Sequence, residues 1–399
     1  MLTADQLLSE LLDRARTLTA VETIATEAAL GRILASDQVA AIDVPPWDNS
    51  AMDGYAVRAA ECHGQPCLPV SQRIAAGQSG EPLQAGTAAR IFTGAPIPAG
   101  ADAVVMQEHC SVSGNSVCLQ HSVKVGENIR RKSEDIGAGD IILPLGSRIG
   151  AAQMGLAASV GLAELAVYRR LKIAFFSTGN ELIQPGSRLQ TGQIYNSNRY
   201  TLAGLIRGLG CEWSDLGAIP DTLNDTVATL QRAAKLADVI ISSGGVSVGE
   251  EDHVKAAVTQ LGQLDSWKVA MKPGKPLAFG SIGSADFIGL PGNPVSTFTT
   301  FCLFARPFLL KRMGATRVLP MVYPVRCASS WLISGDRREF LRGCVQQADN
   351  GEAEVLLYPQ QGSGVLSSVA WANGFVDLGI GQTINSGDIV KFIPFNEVM

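Results

Sequence analysis

A chain of 399 residues with 46% hydrophobic and 17% charged residues is neither a disordered protein nor a single small domain. Its formal charge of −5 argues against nonspecific nucleic-acid binding. The amphipathic opening LTADQLLSELLDRARTL lacks the basic start of a signal peptide, and no apolar run is long enough to span a bilayer, so a cytoplasmic location without a membrane partner is expected.

Helical periodicity runs through LLSELLDRART and TIATEAALGRILA, and the proline pair of PPWDNSAMDGYAV stops it. From about Val70 to Gly139 the pattern changes to short β segments, among them ARIFTG, ADAVVMQEHC, SVCLQ and IILPLG, separated by glycine and proline turns. GAAQMGLAASVGLAELAVYR then reads as a helix returning to the first region. These signals divide the first half into a mixed, α-rich linker domain over 1–45 with 140–170 and an inserted small β domain over 46–139. The eight cysteines do not form a disulfide scaffold, and Cys62 and Cys67 lack the spacing of a Cys-x-x-Cys site. HCSVSGNSVCLQH gathers His109, Cys110, Cys118 and His121 around the turn SGN. Two short strands there need not bring the four side chains together, so the stretch is read as a hairpin and not as a metal site.

The clearest pattern spans 171–319. LKIAFFS is an unbroken apolar strand, NSNRYTLAGLIRGLG a capped helix, CEWSDLGAIPD a strand, TLNDTVATLQRAAKLA a second helix and ADVIIS a further buried strand. Apolar strands alternating with helices predict a mostly parallel sheet covered on both faces, a three-layer α/β domain. FIGLPGNPVSTFTTFCLFARPFL adds strand, turn and helix, with Asn293 as N-cap and Pro294 at the first helical position. From about Pro320 to the end, REFLRGCVQ, AEVLLYP, FVDLG and DIVKFIP predict a C-terminal β-barrel-like domain over 320–399. The fold class is therefore α/β, multidomain.

Ligands of such sheets bind beyond the carboxyl ends of the strands. Three polar loops fall there: TGNEL with Glu181, PD with Asp221, and SSGGVSVGEED. The last offers the backbone amides of Gly244, Gly245, Ser247 and Gly249 before a helix start, which suit a phosphate but also an ordinary turn and cap. It has neither the P-loop lysine nor the dinucleotide-binding glycine pattern. Glu250, Glu251 and Asp252 make sense beside an anion if a divalent ion bridges them, with Asp252 the preferred ligand and the two glutamates capping the helix. In KVAMKPGKP, Lys268 and Lys272 share one face if the segment is extended, and Lys275 follows in a rigid turn. A solvated edge is the competing reading. Arg337, Arg338 and Arg342 could extend the basic surface, while Asp48 and Asp53 are turn residues unless they converge on the cleft. No serine–histidine–acid or cysteine–histidine arrangement is present, and His253 is read as structural. The residues support a cleft enzyme that binds a phosphate-bearing anion with Mg²⁺, without naming its reaction.

Six stretches in order, DNSAMDGYAVR, TGAPIPAGADAVV, STGNEL, SSGGVSVGEEDH, KPGKPLAFG and LPGNPVS, resemble the molybdopterin molybdenumtransferase family over essentially the whole chain. The resemblance implies transfer of molybdenum from molybdate into adenylylated molybdopterin, with Mg²⁺-assisted hydrolysis and release of AMP. It also implies a homodimer whose site lies between the 171–319 region of one subunit and the β domain of the other, and transient contact with the molybdopterin adenylyltransferase and cofactor-delivery proteins. By motif it carries over Asp53, Thr93, Glu181, Asp221, Asp252, Lys268 and Lys272, with Asp252 and Glu181 toward the metal. Pro291 and Pro294 shape a neighbouring turn, and Arg342 and Ser363 are the C-terminal contributions. An adenylyltransferase-like step and a molybdopterin or molybdate carrier without turnover are the alternatives.

Overall fold

The computed structural model describes residues 1–246, 253–333 and 335–399. Among them, the α/β domain is built on a six-stranded sheet in the order Glu212–Ile219, Lys172–Thr178, Val239–Ser243, Ala285–Leu290, Pro276–Ile282, Gly262–Lys268. The first four strands are mutually parallel and the last two pairings antiparallel. Side chains alternate across each strand, so an unbroken apolar run needs cover on both faces. Ile173 and Phe175 join one core with the helices Ala4–Arg14 and Ser197–Gly208 and with residues 294–312. Ala174 and Phe176 join a second core with Leu223–Leu236 and His253–Leu261. Phe175 and Phe176 are fully buried, each contributing on the order of 2–3 kcal/mol of apolar burial. The three-layer α/β architecture is as expected.

The helices start where their side chains allow it. Thr3 and Gln6 form a reciprocal capping box, Asn196 accepts from the Arg199 amide, and Thr222 accepts from the Asp225 amide. Residues 294–312 form one continuous helical segment with Pro294 at its first position and a wide π turn over Phe301–Ala305. Pro307 follows the π turn; a proline there lacks an N–H and crowds the carbonyl four residues back, which a widened turn relieves.

Two helix expectations fail. TIATEAALGRILA contains no α-helix: Val21–Ala25 is a strand paired antiparallel with Glu164–Tyr168, followed by a single 3₁₀ turn. Leu34, Leu165 and Val167 close a small core over this pair, and that tertiary pairing overrides a modest local preference for helix. Likewise, only Ala151–Ser159 of GAAQMGLAASVGLAELAVYR is helical, since Gly161 turns the chain with φ of 82° into the Glu164–Tyr168 strand.

The inserted β domain has a six-stranded sheet in the order Ala103–Met106, Gly54–Val57, Ala88–Ile91, Cys67–Ile74, Ser116–Leu119, Cys110–Ser113. The expected hairpin around SGN is there. Cys67 and Cys118 are cross-strand partners joined by a disulfide, a pairing that their sequence spacing did not reveal. His109 and His121 do meet, edge to face with ring centroids 4.9 Å apart. Cys110 instead donates to the Met106 carbonyl, and among the described residues no three histidine, cysteine or acidic side chains are grouped to hold a metal ion. At the C-terminus, Arg338–Gln347, Ala353–Leu357, Tyr323–Cys327, Ile389–Pro394 and Gly374–Leu378 pair in succession, and the last returns to the first to close a barrel. No described helix is long and apolar enough to cross a membrane.

Candidate functional site

The parallel strands set the site by where they end. Thr178, Ile219, Ser243 and Leu290 are the last residues of four neighbouring strands. Glu181, Asp221, Gly244, Gly245, Pro291 and Gly292, just beyond them, line one cavity of about 550 Å³. Two glycines are required by this geometry. Gly179 has φ of 145°, and a Cβ there would lie 2.6 Å from the Glu181 carboxylate. Gly245 has φ of 68°, and a Cβ would lie 2.2 Å from Val254 Cγ2. A side chain at either would displace the wall. The Gly244 amide donates to the Leu290 carbonyl at 3.0 Å, which ties the glycine loop to the LPGNP turn.

The cleft carboxylates are left open. The Asp221 amide donates to Asn180 Oδ1 at 3.2 Å, but Asp221 Oδ1 is buried with no hydrogen-bond partner among the described residues. An unmet buried carboxylate oxygen beside an exposed Glu181 suits a ligand that brings positive charge or donors. Lys272, Lys275 and Arg337 line the same cavity. Lys272 Nζ stands 3.3 Å from Glu339 Oε1, whose side chain is only 5% exposed. The short strand Met271–Lys272 pairs parallel with the barrel strand Arg338–Gln347, placing Lys272 opposite Glu339. Arg337 donates to the Met271 carbonyl at 3.4 Å. The barrel therefore fixes one cationic side of a cleft whose other side belongs to the α/β sheet.

Ser363 also comes from the barrel and lines the cleft, its carbonyl accepting from the Val295 amide at 3.0 Å. Arg342 does not reach the cleft. It is fully buried, donating from Nε to Ser368 Oγ at 3.0 Å and from Nη2 to the Gly362 carbonyl at 3.3 Å. Burial pushes its pKa down to about 10. Its backbone exchanges two hydrogen bonds with the Gln361 amide group, so Arg342 holds the loop that presents Ser363. The charge faces inward because its donors are met by carbonyls and a hydroxyl, not by solvent.

Lys268 and Lys272 do not share a face. Lys268 ends the edge strand of the α/β sheet and lines a neighbouring recess with Met1, Leu2 and Trp267, while Lys272 pairs with the barrel. Between them the chain changes sheets at Val269 and Ala270, where Leu2 bridges to Val269. Pro291 lines the cleft, whereas Pro294 only starts the following helix. Ser247, Gly249, Glu250, Glu251 and Asp252 lie outside the described residues.

Asp53 and Thr93 do not line this cleft. They form a unit within the β domain, where Asp53 Oδ1 accepts from the Thr93 amide at 2.8 Å and from its hydroxyl at 2.9 Å. Those bonds, the backbone one first, hold the Asp53 pKa below its ordinary value. Sequence reasoning missed Glu339, which sits in REFLRG as an unremarkable strand residue. It also missed Asn198, whose amide supports the cleft wall by donating to the Gly292 carbonyl at 2.7 Å.

Comparison with known proteins covers the whole architecture. Family profiles match as the MoeA N-terminal region (domain I and II) over residues 2–161, as "Probable molybdopterin binding domain" over 174–311, and as the MoeA C-terminal region (domain IV) over 324–395. A molybdopterin molybdenumtransferase of Haemophilus influenzae is 39% identical over the full length of both chains. One from a Nostoc species is 38% identical, covering 90% of this chain and 85% of its own. Among solved structures, a molybdopterin biosynthesis moeA protein of Pyrococcus horikoshii aligns with a TM-score of 0.85 and 27% identity, covering 99% of this chain and 100% of that one.

Proposed function

The chain belongs to the MoeA family of molybdopterin molybdenumtransferases, and from that premise we propose that its α/β cleft transfers molybdenum from molybdate into adenylylated molybdopterin, with cleavage of the pyrophosphate link and release of AMP. One observation carries the reading: Asp221, whose buried oxygen has no partner among the described residues, lines the same cleft as Lys272, Lys275, Arg337, Gly244 and Gly245. Such a cleft accepts a ligand that is itself divided, anionic on its phosphates and molybdate and partnered by a cation.

The cationic side chains bind and orient the phosphates and the molybdate, and the Gly245 amide supplies a fixed donor. Two open carboxylates fit a hard, oxygen-preferring ion, so Glu181 and Asp221, joined by Asp252, would hold Mg²⁺. Bound there, the ion would neutralise charge on the pyrophosphate. A molybdate oxygen, or a water that gives its proton to solvent, forms the new bond to phosphorus. The bond from phosphorus to the bridging oxygen breaks, and its electron pair leaves with the departing phosphate. Asp53 and Thr93 reach the cleft from a second copy of the chain, which makes the functional unit a homodimer. Other components of molybdenum cofactor synthesis would deliver the substrate and accept the product.

The test follows AMP with purified protein, adenylylated molybdopterin and Mg²⁺, with and without molybdate. Molybdate-dependent AMP release that is lost in Asp221→Ala is the expected result. Tight binding without AMP release makes the cleft a carrier site, and consumption of ATP assigns it to the adenylylation step; either overturns the proposal.

A further inference from the structure

A second cavity, of about 580 Å³, opens where three parts of the chain meet. Residues 142–156 of the linker domain, residues 306–319 at the end of the α/β domain, and Glu397 of the C-terminal tail line it. Its apolar wall is made by Ile142, Leu143, Leu156, Leu310 and Leu319, and its volume is in the range of small-molecule sites.

Three arginines, Arg148, Arg306 and Arg317, line the cavity together with one carboxylate, that of Glu397. Arg306 is only 8% exposed. It donates from Nη1 to the Val318 carbonyl at 3.2 Å, and its Nε is buried without a hydrogen-bond partner among the described residues. A buried guanidinium is normally paired with a carboxylate or fully hydrogen-bonded, because an unmet charged donor is costly. Here Glu397 accepts from the Met321 amide and forms no ion pair with Arg306. Burial pulls the Arg306 pKa below its ordinary value, with nearby Arg148 acting in the same direction and Glu397 only partly opposing it. Arg148 spends one donor on the Gly208 carbonyl at 2.9 Å, and Arg317 is exposed with no hydrogen bond or ion pair among the described residues. Donors that exceed acceptors, set into an apolar wall, define the complementary ligand.

We propose that this cavity binds a small organic anion, an apolar body bearing a carboxylate or phosphate head that Arg306, Arg148 and Arg317 receive. The site is separate from the substrate cleft, and the two share no lining residue. The head completes the unmet valence of Arg306, and the body fills the leucine-lined wall.

Calorimetric titration of the full chain with phenyl phosphate, benzoate and benzyl alcohol tests this. The first two separate a phosphate-type from a carboxylate-type head, and the third keeps the apolar body without charge. Saturable binding of at least one anion, with benzyl alcohol much weaker, is expected. Arg306→Met and Arg317→Glu should each weaken that binding by about tenfold or more, the size of a lost bond to a charged group. Lys272→Ala should leave it unchanged. Arg317 is exposed, so its variant remains informative if Arg306→Met fails to fold. Absence of saturable binding, equal binding of benzyl alcohol, or an affinity that follows Lys272→Ala instead of Arg317→Glu overturns the proposal.

Discussion

The carboxylates of the proposed active site are built on opposite plans in the two domains. In the β domain, Asp53 is closed on its own surroundings, with Thr93 supplying both an amide and a hydroxyl. In the α/β cleft, Asp221 keeps a buried oxygen without a partner among the described residues, and Glu181 stands exposed at a strand end. A satisfied carboxylate is a rigid, ionised acceptor that fixes a turn and presents constant charge. An unsatisfied one holds free energy in reserve for a ligand. On the proposed reading, the α/β cleft would be where ligand binding does its chemistry, and the β domain of a second copy would be a preformed surface brought to it.

The sharpest way to break this contrast is to remove Lys272, the cleft cation paired with the barrel. Lys272→Met should lower kcat/KM for AMP release by roughly 10- to 100-fold, the worth of one hydrogen bond to a charged group. It should also lower Tm, since Glu339 would stay buried without its partner. A change in Tm with unchanged AMP release would make Lys272 a structural strut between sheet and barrel.

Next in size is Gly245→Ala. The added Cβ meets Val254 at 2.2 Å from a backbone with φ of 68°, so a cost of about 1–3 kcal/mol is expected from strain and overpacking together. Denaturant unfolding measures it, and a variant as stable as the parent would show that the loop has room to move.

The closed plan is sharpened by titrating Asp53. Its folded pKa is depressed by the Thr93 amide first and the hydroxyl second. A depressed carboxylate pKa stabilises the fold above the unfolded value of about 3.9, and that contribution is lost as pH falls through the lower folded value. Thr93→Val removes the hydroxyl but keeps the amide, so the Asp53 pKa should rise only part of the way back. Carbon-detected NMR of the carboxyl reads this directly, and a return to the ordinary value would assign the whole shift to the hydroxyl.

What could be read from the sequence follows the range of the interaction. Strand ends and their loops are local, so strand patterns such as LKIAFFS, CEWSDLGAIPD and ADVIIS are enough to put Glu181, Asp221 and the start of the glycine loop at one edge of the sheet. The N-cap position of Asn293 is local too, although its side chain makes no capping hydrogen bond. The pairing of Val21–Ala25 with Glu164–Tyr168 spans more than a hundred residues of chain, and no pattern within TIATEAALGRILA announces it. The same holds for Glu339 beneath Lys272, for the Cys67–Cys118 bridge, and for the separation of Lys268 from Lys272. Four residues apart suggested one face, but the chain moves from one sheet to another between them.

The smallest expected effect concerns Arg342 and Ser363. Arg342 is an arginine in a basic stretch, which suggests contact with an anion, yet its side chain is spent on Ser368 and Gly362 inside the barrel. If it acts only by holding the 361–363 loop, its influence on catalysis passes through Ser363. Ser363→Ala should lower kcat/KM by roughly 3- to 10-fold, the worth of one neutral hydrogen bond. Arg342→Lys keeps the charge but cannot reproduce the planar fork, and should cost a similar factor. In a double-mutant cycle, residues that act through one another are not additive. The double variant should then be little worse than Ser363→Ala alone. Multiplying losses would mean that Arg342 contributes to the substrate independently of the loop, for instance through the field of its buried charge.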